Sequence, residues 1–128
     1  MPSTLITLRK PRPPAERAAL IDAVHAAMVE ALKIPPQDRC LRLQTFAPED
    51  FAVPTDAGES FTLIEISLYP GRSLAAKRAL YAGLVERLAA FGIAAQELRV
   101  ILHEVPSENW GLRGIAGCDV GRSKEILA

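Results

Sequence analysis

The sequence predicts an α+β fold in which two β-α-β units form one four-stranded sheet with two helices on one face. The order strand, helix, strand occurs twice along the 128 residues. Shifting the first half by about 60 residues places Arg12 on Arg72 and, after one deletion, Phe51 on Trp110. These matches lie outside the periodic helix faces, so they favour an internal duplication.

The elements of the first half follow from local patterns. Residues 5–8 are short and β-prone. Residues 14–32 have a helical stripe of Leu20, Val24, Met28 and Leu32. Pro14 suits a first helical turn, which needs no amide hydrogen, and a Pro-Pro pair at 35–36 ends the helix. Residues 41–46 alternate as a second strand.

The second half repeats these patterns. Residues 61–68 and 98–103 read as strands, and residues 73–91 read as a helix with Leu80, Leu84 and Leu88 on one stripe. Gly92 is the expected helix C-cap. We therefore expect a single domain over residues 1–128, with pseudo-repeats 2–51 and 61–111 and a linker at 52–60.

The strands carry apolar residues on both parities, which predicts a sheet buried on both faces. The run is Leu63, Ile64, Ile66 and Leu68. Helices cover one face only, so the other face needs a partner. We expect a closed oligomer, most simply a ring in which sheets pack against each other.

Composition and charge exclude several function classes. Lys plus Arg and Asp plus Glu balance at 15 each, so there is no global attraction to nucleic acid or an anionic membrane. No apolar run approaches a membrane span, and the N-terminus has no secretory apolar segment. Cys40 and Cys118 share no metal or redox spacing, and His25 and His103 lie far apart. We expect a cytoplasmic protein without a metal or cofactor.

Pro2 follows the initiator methionine and opens the first strand. Once Met1 is removed, Pro2 is a secondary amine at the chain terminus. Burial disfavours the charged form of an amine, so a buried terminal proline can act as a general base or acid near neutral pH.

A set of motifs resembles the tautomerase superfamily. Gly71-Arg72-Ser73, then Lys77, then Glu104-Val105-Pro106-Ser107-Glu108-Asn109-Trp110-Gly111 is similar to the 4-oxalocrotonate tautomerase pattern, here in the second half of a fused chain. Residues 25–31 and the Pro35-x-x-Asp38-Arg39 stretch look most like the malonate semialdehyde decarboxylase group. The resemblance covers nearly the whole chain.

The resemblance implies a homotrimer that acts on a small carboxylate substrate without a cofactor. It makes Pro2 the proton shuttle and Arg72 the group that binds the substrate carboxylate, a role that suits the planar guanidinium. Trp110 corresponds to an aromatic wall of the pocket, and Tyr69 is placed with the substrate-binding residues. Arg99 matches a family arginine that can come from a neighbouring chain.

Two further functions stay open at this point. Asp38 matches a decarboxylase carboxylate that positions or activates water, which implies a decarboxylase or hydratase. The β-α-β repeat also suits a non-catalytic small-ligand-binding module, in which Met1 is retained. For single residues, the alternatives are a turn role for Asp38, a strand-edge charge for Arg99 and packing for His25.

The chain departs from the family pattern at three positions. Pro70 and Tyr69 stand where the decarboxylases and dehalogenases of the family carry arginines, and Leu112 stands where the dehalogenases have a glutamate. Dehalogenation is therefore disfavoured. Proton transfer on a 2-oxo or enol acid needs only Pro2 and one carboxylate anchor, and is the preferred interpretation. Whether Arg12 and Phe51 line a second site is left open.

Overall fold

One mixed sheet of four strands dominates the computed structural model, which describes residues 2–120. The strands are β1 Ser3–Leu8, β2 Leu41–Thr45, β3 Thr62–Leu68 and β4 Leu98–Glu104, in the spatial order β2-β1-β3-β4. The pairs β1–β2 and β3–β4 are parallel, and the central pair β1–β3 is antiparallel. Helix α1 Pro14–Leu32 joins the first parallel pair, and α2 Leu74–Leu88 joins the second. The predicted pair of β-α-β units is confirmed.

The two helices begin and end at the residues that local chemistry favours. Pro14 opens α1, where a missing amide hydrogen costs nothing. Ser73 caps α2, since its Oγ accepts a hydrogen bond from the Ala76 amide at 3.1 Å. The predicted helix 73–91 is divided: α2 ends at Leu88, and a 3₁₀ turn continues to Gly92, whose φ of 76° is left-handed. Helices commonly tighten in this way at their last turn.

The core lies between the helices and one face of the sheet. The predicted helical stripes are buried, and they meet the strand residues Ile6, Leu8, Ile64, Ile66 and Leu68. None of the helices within residues 2–120 is long and apolar enough to cross a membrane.

The second face of the sheet carries both apolar and polar side chains in the single chain, so its expected burial against a partner stays a prediction. Burial along β3 alternates, and Ile64, Ile66 and Leu68 share the helix-facing side, while Leu63 lies on the other side with Glu65. On that second face Thr7 and Arg99 flank Leu63, while the apolar Leu5 and Ile101 flank Glu65. Strict alternation separates the two faces, because successive side chains of a strand point to opposite sides of the sheet.

The strand directions bring four chain segments to one edge of the sheet, by which we mean the end where β1 and β2 begin and not an outer strand. Because β1 and β2 start where β3 and β4 end, Pro2, the turn before β2, the segment after Leu68 and the segment after Glu104 are neighbours. Beyond β4, a 3₁₀ turn at Ser107–Asn109 leads into a short hairpin of β5 Gly111–Leu112 and β6 Ile115–Ala116. The hairpin closes this edge and is not anticipated by the sequence pattern.

Candidate active site

Pro2 is buried directly before β1. Ser3 pairs with Ser67 at the end of β3, and the Thr4 amide donates to the Cys40 carbonyl at 2.9 Å, just before β2. These contacts fix Pro2 between the end of β3 and the turn before β2. Met1, whose removal the chemistry requires, lies outside the described residues.

Arg72 reaches the same edge through a turn that needs glycine. Gly71 has φ of 117°, a conformation that other residues rarely adopt, and it lets the chain reverse from β3 into α2. The Arg72 side chain is half-buried at the N-terminus of α2. Burial lowers the pKa of Arg72, and the Asp38 carboxylate opposes that shift. A guanidinium stays charged at neutral pH even so, so Arg72 offers a cation with paired donors.

Asp38 lies on a turn held by three contacts. The Asp38 amide donates to the Pro35 carbonyl at 3.0 Å. His25 Nε2 lies 2.7 Å from the Pro36 carbonyl oxygen, and Arg39 Nη2 lies 2.9 Å from Asp22 Oδ1. The charge of Asp38 acts on both Arg72 and Tyr69, so the structure brings these three predicted residues together.

Tyr69 and Trp110 form the aromatic wall of this edge. Tyr69 is only 4% exposed, and its ring meets the indole edge-on with centroids 5.4 Å apart. The indole Nε1 donates to the Val105 carbonyl at 3.0 Å, which fixes the Trp110 ring. The Tyr69 hydroxyl is buried and has no hydrogen-bond partner among residues 2–120. Burial raises the pKa of Tyr69, and the charges of Asp38 and Cys118 raise it further, so the phenol keeps its proton.

Gly117 packs against Tyr69 and Trp110, and the sequence analysis does not single it out. Its amide donates to the Trp110 carbonyl at 2.7 Å. A Cβ at this position would lie 2.5 Å from the Ser107 carbonyl oxygen and 2.9 Å from the Tyr69 hydroxyl oxygen. Only glycine fits there, and nothing in the local sequence distinguishes it from a loop glycine.

An ion pair between Lys77 and Glu104 joins two of the elements that carry the site. Lys77 Nζ lies 3.0 Å from Glu104 Oε2, which ties the first turn of α2 to the end of β4. Both residues belong to the motif that carries the family resemblance, and their contact gives that spacing a physical reason.

Arg99 does not reach this edge within one chain. It pairs with Leu63 near the start of β4, and its guanidinium carbon lies 5.7 Å from the Phe61 ring centroid. It stands five positions before Glu104 along the strand, a distance of about 17 Å at 3.3 Å per residue. Its predicted role therefore depends on a neighbouring chain and stays a prediction.

The first-half counterparts of the site residues serve packing. The Arg12 side chain is 3% exposed, and its Nη1 lies 2.6 Å from Glu16 Oε1 and 3.0 Å from the Phe91 carbonyl oxygen. Phe51 stands edge-on to Phe61, at 5.8 Å between centroids. Arg12 and Phe51 therefore do not build a second carboxylate site, because the Arg12 guanidinium is already bonded to Glu16 and to the Phe91 carbonyl.

Comparison with known proteins places this geometry in a family. A model described as tautomerase enzyme matches residues 38–113, and a second with the same description matches residues 2–61. The chain belongs to the tautomerase family. It is thus an enzyme of the tautomerase class, and family membership argues against the non-catalytic binding module.

Curated relatives of this tautomerase match about half of it. A probable tautomerase of Ralstonia nicotianae is 39% identical over 54 residues, which cover 41% of this chain and 77% of the relative. A 2-hydroxymuconate tautomerase of Comamonas testosteroni is 36% identical over 59 residues, which cover 45% of this chain and 94% of the relative. Such coverage is expected when one chain contains two β-α-β units.

Solved structures match the tautomerase over nearly its whole length. A malonate semialdehyde decarboxylase inhibited by 3-bromopropiolate has a TM-score of 0.84 at 29% identity, covering 94% of this chain and 97% of the other. A fused 4-OT described as a wild-type asymmetric trimer has a TM-score of 0.83 at 25% identity, covering 94% and 99%. The fused architecture is therefore shared with chains of the same length class.

Proposed function

We propose that the protein is a cofactor-free tautomerase of small 2-oxo and enol acids, with Pro2 as general base and acid. The observation that carries the proposal is the meeting of buried Pro2, half-buried Arg72 and the Tyr69–Trp110 wall at one sheet edge. The domain is proposed to span residues 1–128, with pseudo-repeats 2–51 and 61–111 joined by 52–60.

Pro2 supplies the proton transfer once Met1 is removed. Burial and a nearby guanidinium both disfavour a protonated amine, so the prolyl nitrogen is available as a base at neutral pH. It takes the hydroxyl proton of the enol, the oxygen electron pair forms the C=O bond, and the C=C electron pair takes the proton back from the prolinium at carbon. The same atoms return to the starting state, so no co-reactant is needed.

Arg72 anchors the substrate and stabilises the charge that develops. Its guanidinium can hold a carboxylate with two parallel hydrogen bonds. The same group can stabilise the negative charge that grows on the adjacent oxygen during proton transfer, which favours the transition state over the bound substrate. The Tyr69 hydroxyl, protonated and without a partner in residues 2–120, can donate a further hydrogen bond to a substrate oxygen. Trp110 helps exclude water.

A second candidate function is decarboxylation or hydration of a 3-oxo acid of the malonate semialdehyde type. The position of Asp38 beside Arg72 and Tyr69 favours it, because a carboxylate there can orient a water molecule. Likeness to a malonate semialdehyde decarboxylase supports the same candidate. Pro70 and Tyr69 stand in place of family arginines, so this chain has fewer cations for such a substrate.

We propose that the working form is a homotrimer. The uncovered sheet face needs a partner, and a similar fused chain is described as a trimer. In that assembly Arg99 of a neighbouring copy could complete the substrate-binding set. The two exposed free thiols, Cys40 and Cys118, suit a reducing cytoplasm.

The test begins with the intact mass of the purified protein, which reports whether Met1 is removed. Ketonisation of phenylenolpyruvate and 2-hydroxymuconate is then followed by ultraviolet absorbance. We expect Pro2→Ala to lower kcat/KM by about 10²- to 10⁴-fold, the usual contribution of general acid–base catalysis. Pro11→Ala, in an exposed loop, is the matched control. Retention of Met1, or full activity of Pro2→Ala, contradicts the mechanism.

A further inference from the structure

We infer that His25 is a positioning residue that holds the turn carrying Asp38 against helix α1. This inference rests on the proposed function for what Asp38 does, but the contact itself can be tested independently. His25 is 5% exposed, and its Nε2 lies 2.7 Å from the Pro36 carbonyl oxygen. A carbonyl oxygen only accepts hydrogen bonds, so the imidazole carries its proton on Nε2.

The middle of the turn has few anchors besides His25, although its two ends are tied to the fold through buried Ile34 and the Cys40 carbonyl. Residues 35 and 36 are both proline and have no amide hydrogen to donate. The ion pair of Arg39 with Asp22 also spans the turn and α1, but both side chains are exposed. Exposed pairs of this kind contribute little stability. The hydrogen bond from the buried imidazole is therefore a link between α1 and the middle of this turn that is shielded from water.

A packing role alone does not explain an imidazole at this place. His25 Nδ1 is buried and has no hydrogen-bond partner among residues 2–120. Burying an unpartnered polar atom costs free energy, and an aliphatic side chain would avoid that cost. The hydrogen bond from Nε2 to Pro36 is the contact that offsets it.

The link is short enough to set the position of the Asp38 carboxylate. Only Gln37 separates the anchored Pro36 from Asp38. The Asp38 carboxylate acts to raise the pKa of both Arg72 and Tyr69, so a shift of the turn changes the electrostatics of the site. A displacement of about 1 Å at a catalytic group can cost on the order of 10²-fold in rate.

The experiment compares four single variants, one of them Asp38→Asn, and one double variant. His25→Phe keeps a ring but removes the donor, and His25→Gln restores an N–H donor. Val24→Ala, a buried residue one position earlier on α1, is the control for general loss of packing. Asp38→Asn is combined with His25→Phe. The readouts are amide hydrogen exchange at residues 37–40, and kcat and KM for ketonisation and for malonate semialdehyde decarboxylation.

We expect His25→Phe to speed amide exchange at Asp38 and Arg39 by at least about tenfold. In Val24→Ala, exchange in the turn should increase no more than exchange within α1. Whichever reaction Asp38→Asn slows, His25→Phe should slow mainly in kcat, and the double variant should be no slower than Asp38→Asn. His25→Gln should recover most of both effects. This pattern supports positioning, because a merely structural role gives additive losses.

The contrary outcomes separate the two proposals. Unchanged exchange in His25→Phe, additive losses with Asp38→Asn, or the same turn loosening in Val24→Ala each overturn the inference. Faster exchange in His25→Phe, together with unchanged kinetics of both reactions in Asp38→Asn, supports the His25–Pro36 link and removes the catalytic role of Asp38. If His25→Phe does not fold, the ¹⁵N shifts of the wild-type imidazole decide: a proton on Nε2 supports the inference, and a proton on Nδ1 overturns it.

Discussion

The phenol of Tyr69 stands edge-on to the indole of Trp110, with 5.4 Å between ring centroids and 64° between the ring planes. This edge-to-face contact buries a hydroxyl that finds no hydrogen-bond partner among residues 2–120. An aromatic wall alone could be built from phenylalanine at lower cost, and residues 2–120 do not show what offsets the cost of the buried hydroxyl. In the proposed mechanism a substrate oxygen accepts this hydrogen bond.

Tyr69→Phe should therefore separate activity from stability. Removing an unpartnered hydroxyl leaves the free energy of unfolding unchanged or slightly higher. Loss of a hydrogen bond to a charged substrate or transition state should lower kcat/KM by about 10- to 100-fold, as expected for about 1.5–3 kcal/mol. Denaturant unfolding and ketonisation rates are measured on the same preparations. Tyr81→Phe, on the exposed side of α2, is the control. An active Tyr69→Phe enzyme would remove the hydroxyl from the mechanism.

The stability of the protein should fall more steeply at alkaline pH because of Tyr69. In the folded chain its pKa is raised above the ordinary value of 10.0, first by burial and then by Asp38 and Cys118. A raised folded pKa means that the stabilising contribution is complete below pH 10.0 and is lost as the pH rises through the folded value. We expect the free energy of unfolding, measured in denaturant at rising pH, to decline less in Tyr69→Phe than in the wild type. An equal decline of the unfolding free energy in the two proteins would show that folding does not raise the pKa of Tyr69.

Gly117→Ala should displace the aromatic wall formed by Tyr69 and Trp110. The new methyl group would lie 2.5 Å from the Ser107 carbonyl oxygen and 3.2 Å from Trp110 Cβ, so the backbone or the indole must move. Overpacking of this kind costs about 1–3 kcal/mol, and the displaced wall should also lower kcat/KM. Gly111→Ala is the matched control, because nothing lies within 4 Å of its added Cβ. Thermal unfolding and ketonisation measured on both variants test the difference, and equal behaviour would contradict it.

Arg72 should tolerate neither truncation nor replacement by lysine. Arg72→Ala removes the proposed carboxylate anchor, and Arg72→Lys keeps the charge but loses the paired donors. We expect kcat/KM for an enol acid to fall by at least about 10- to 100-fold in both variants, with the larger loss in Arg72→Ala. Arg78→Ala, on the exposed side of α2, controls for the change in net charge. Steady-state kinetics with normal activity in Arg72→Lys would indicate that charge alone suffices.

The sequence predicts the repeated β-α-β order well because its signals are local. Helical stripes, the Ser73 cap and the Gly92 stop each depend on residues within a few positions. The Tyr69 environment and the close fit at Gly117 depend instead on where residues 107–119 fold back against β3. No short-range pattern encodes that return. The same holds for His25, whose partner is an ordinary backbone carbonyl on a turn 11 residues later.

The two duplicated arginines show how one neighbouring residue changes a role. Four positions after Arg12 stands Glu16, which pairs with it on the first turn of α1. Four positions after Arg72 stands Ala76, which offers no carboxylate. This difference is present in the sequence, and it explains why Arg12 pairs within its own helical turn while Arg72 has no such neighbour at the equivalent position of α2.

Arg12→Ala should accordingly give the opposite result to Arg72→Ala. Arg12 is buried and joins Glu16 to the Phe91 carbonyl, so its removal leaves the Phe91 acceptor without this donor. We expect a loss of about 1–3 kcal/mol in the free energy of unfolding. The kcat/KM of the folded fraction should stay close to that of the wild type, since Arg12 lies at the opposite edge of the sheet from Pro2. Denaturant unfolding and steady-state kinetics on both alanine variants test this reciprocity. A catalytic defect in fully folded Arg12→Ala would mean that the first-half edge also binds substrate.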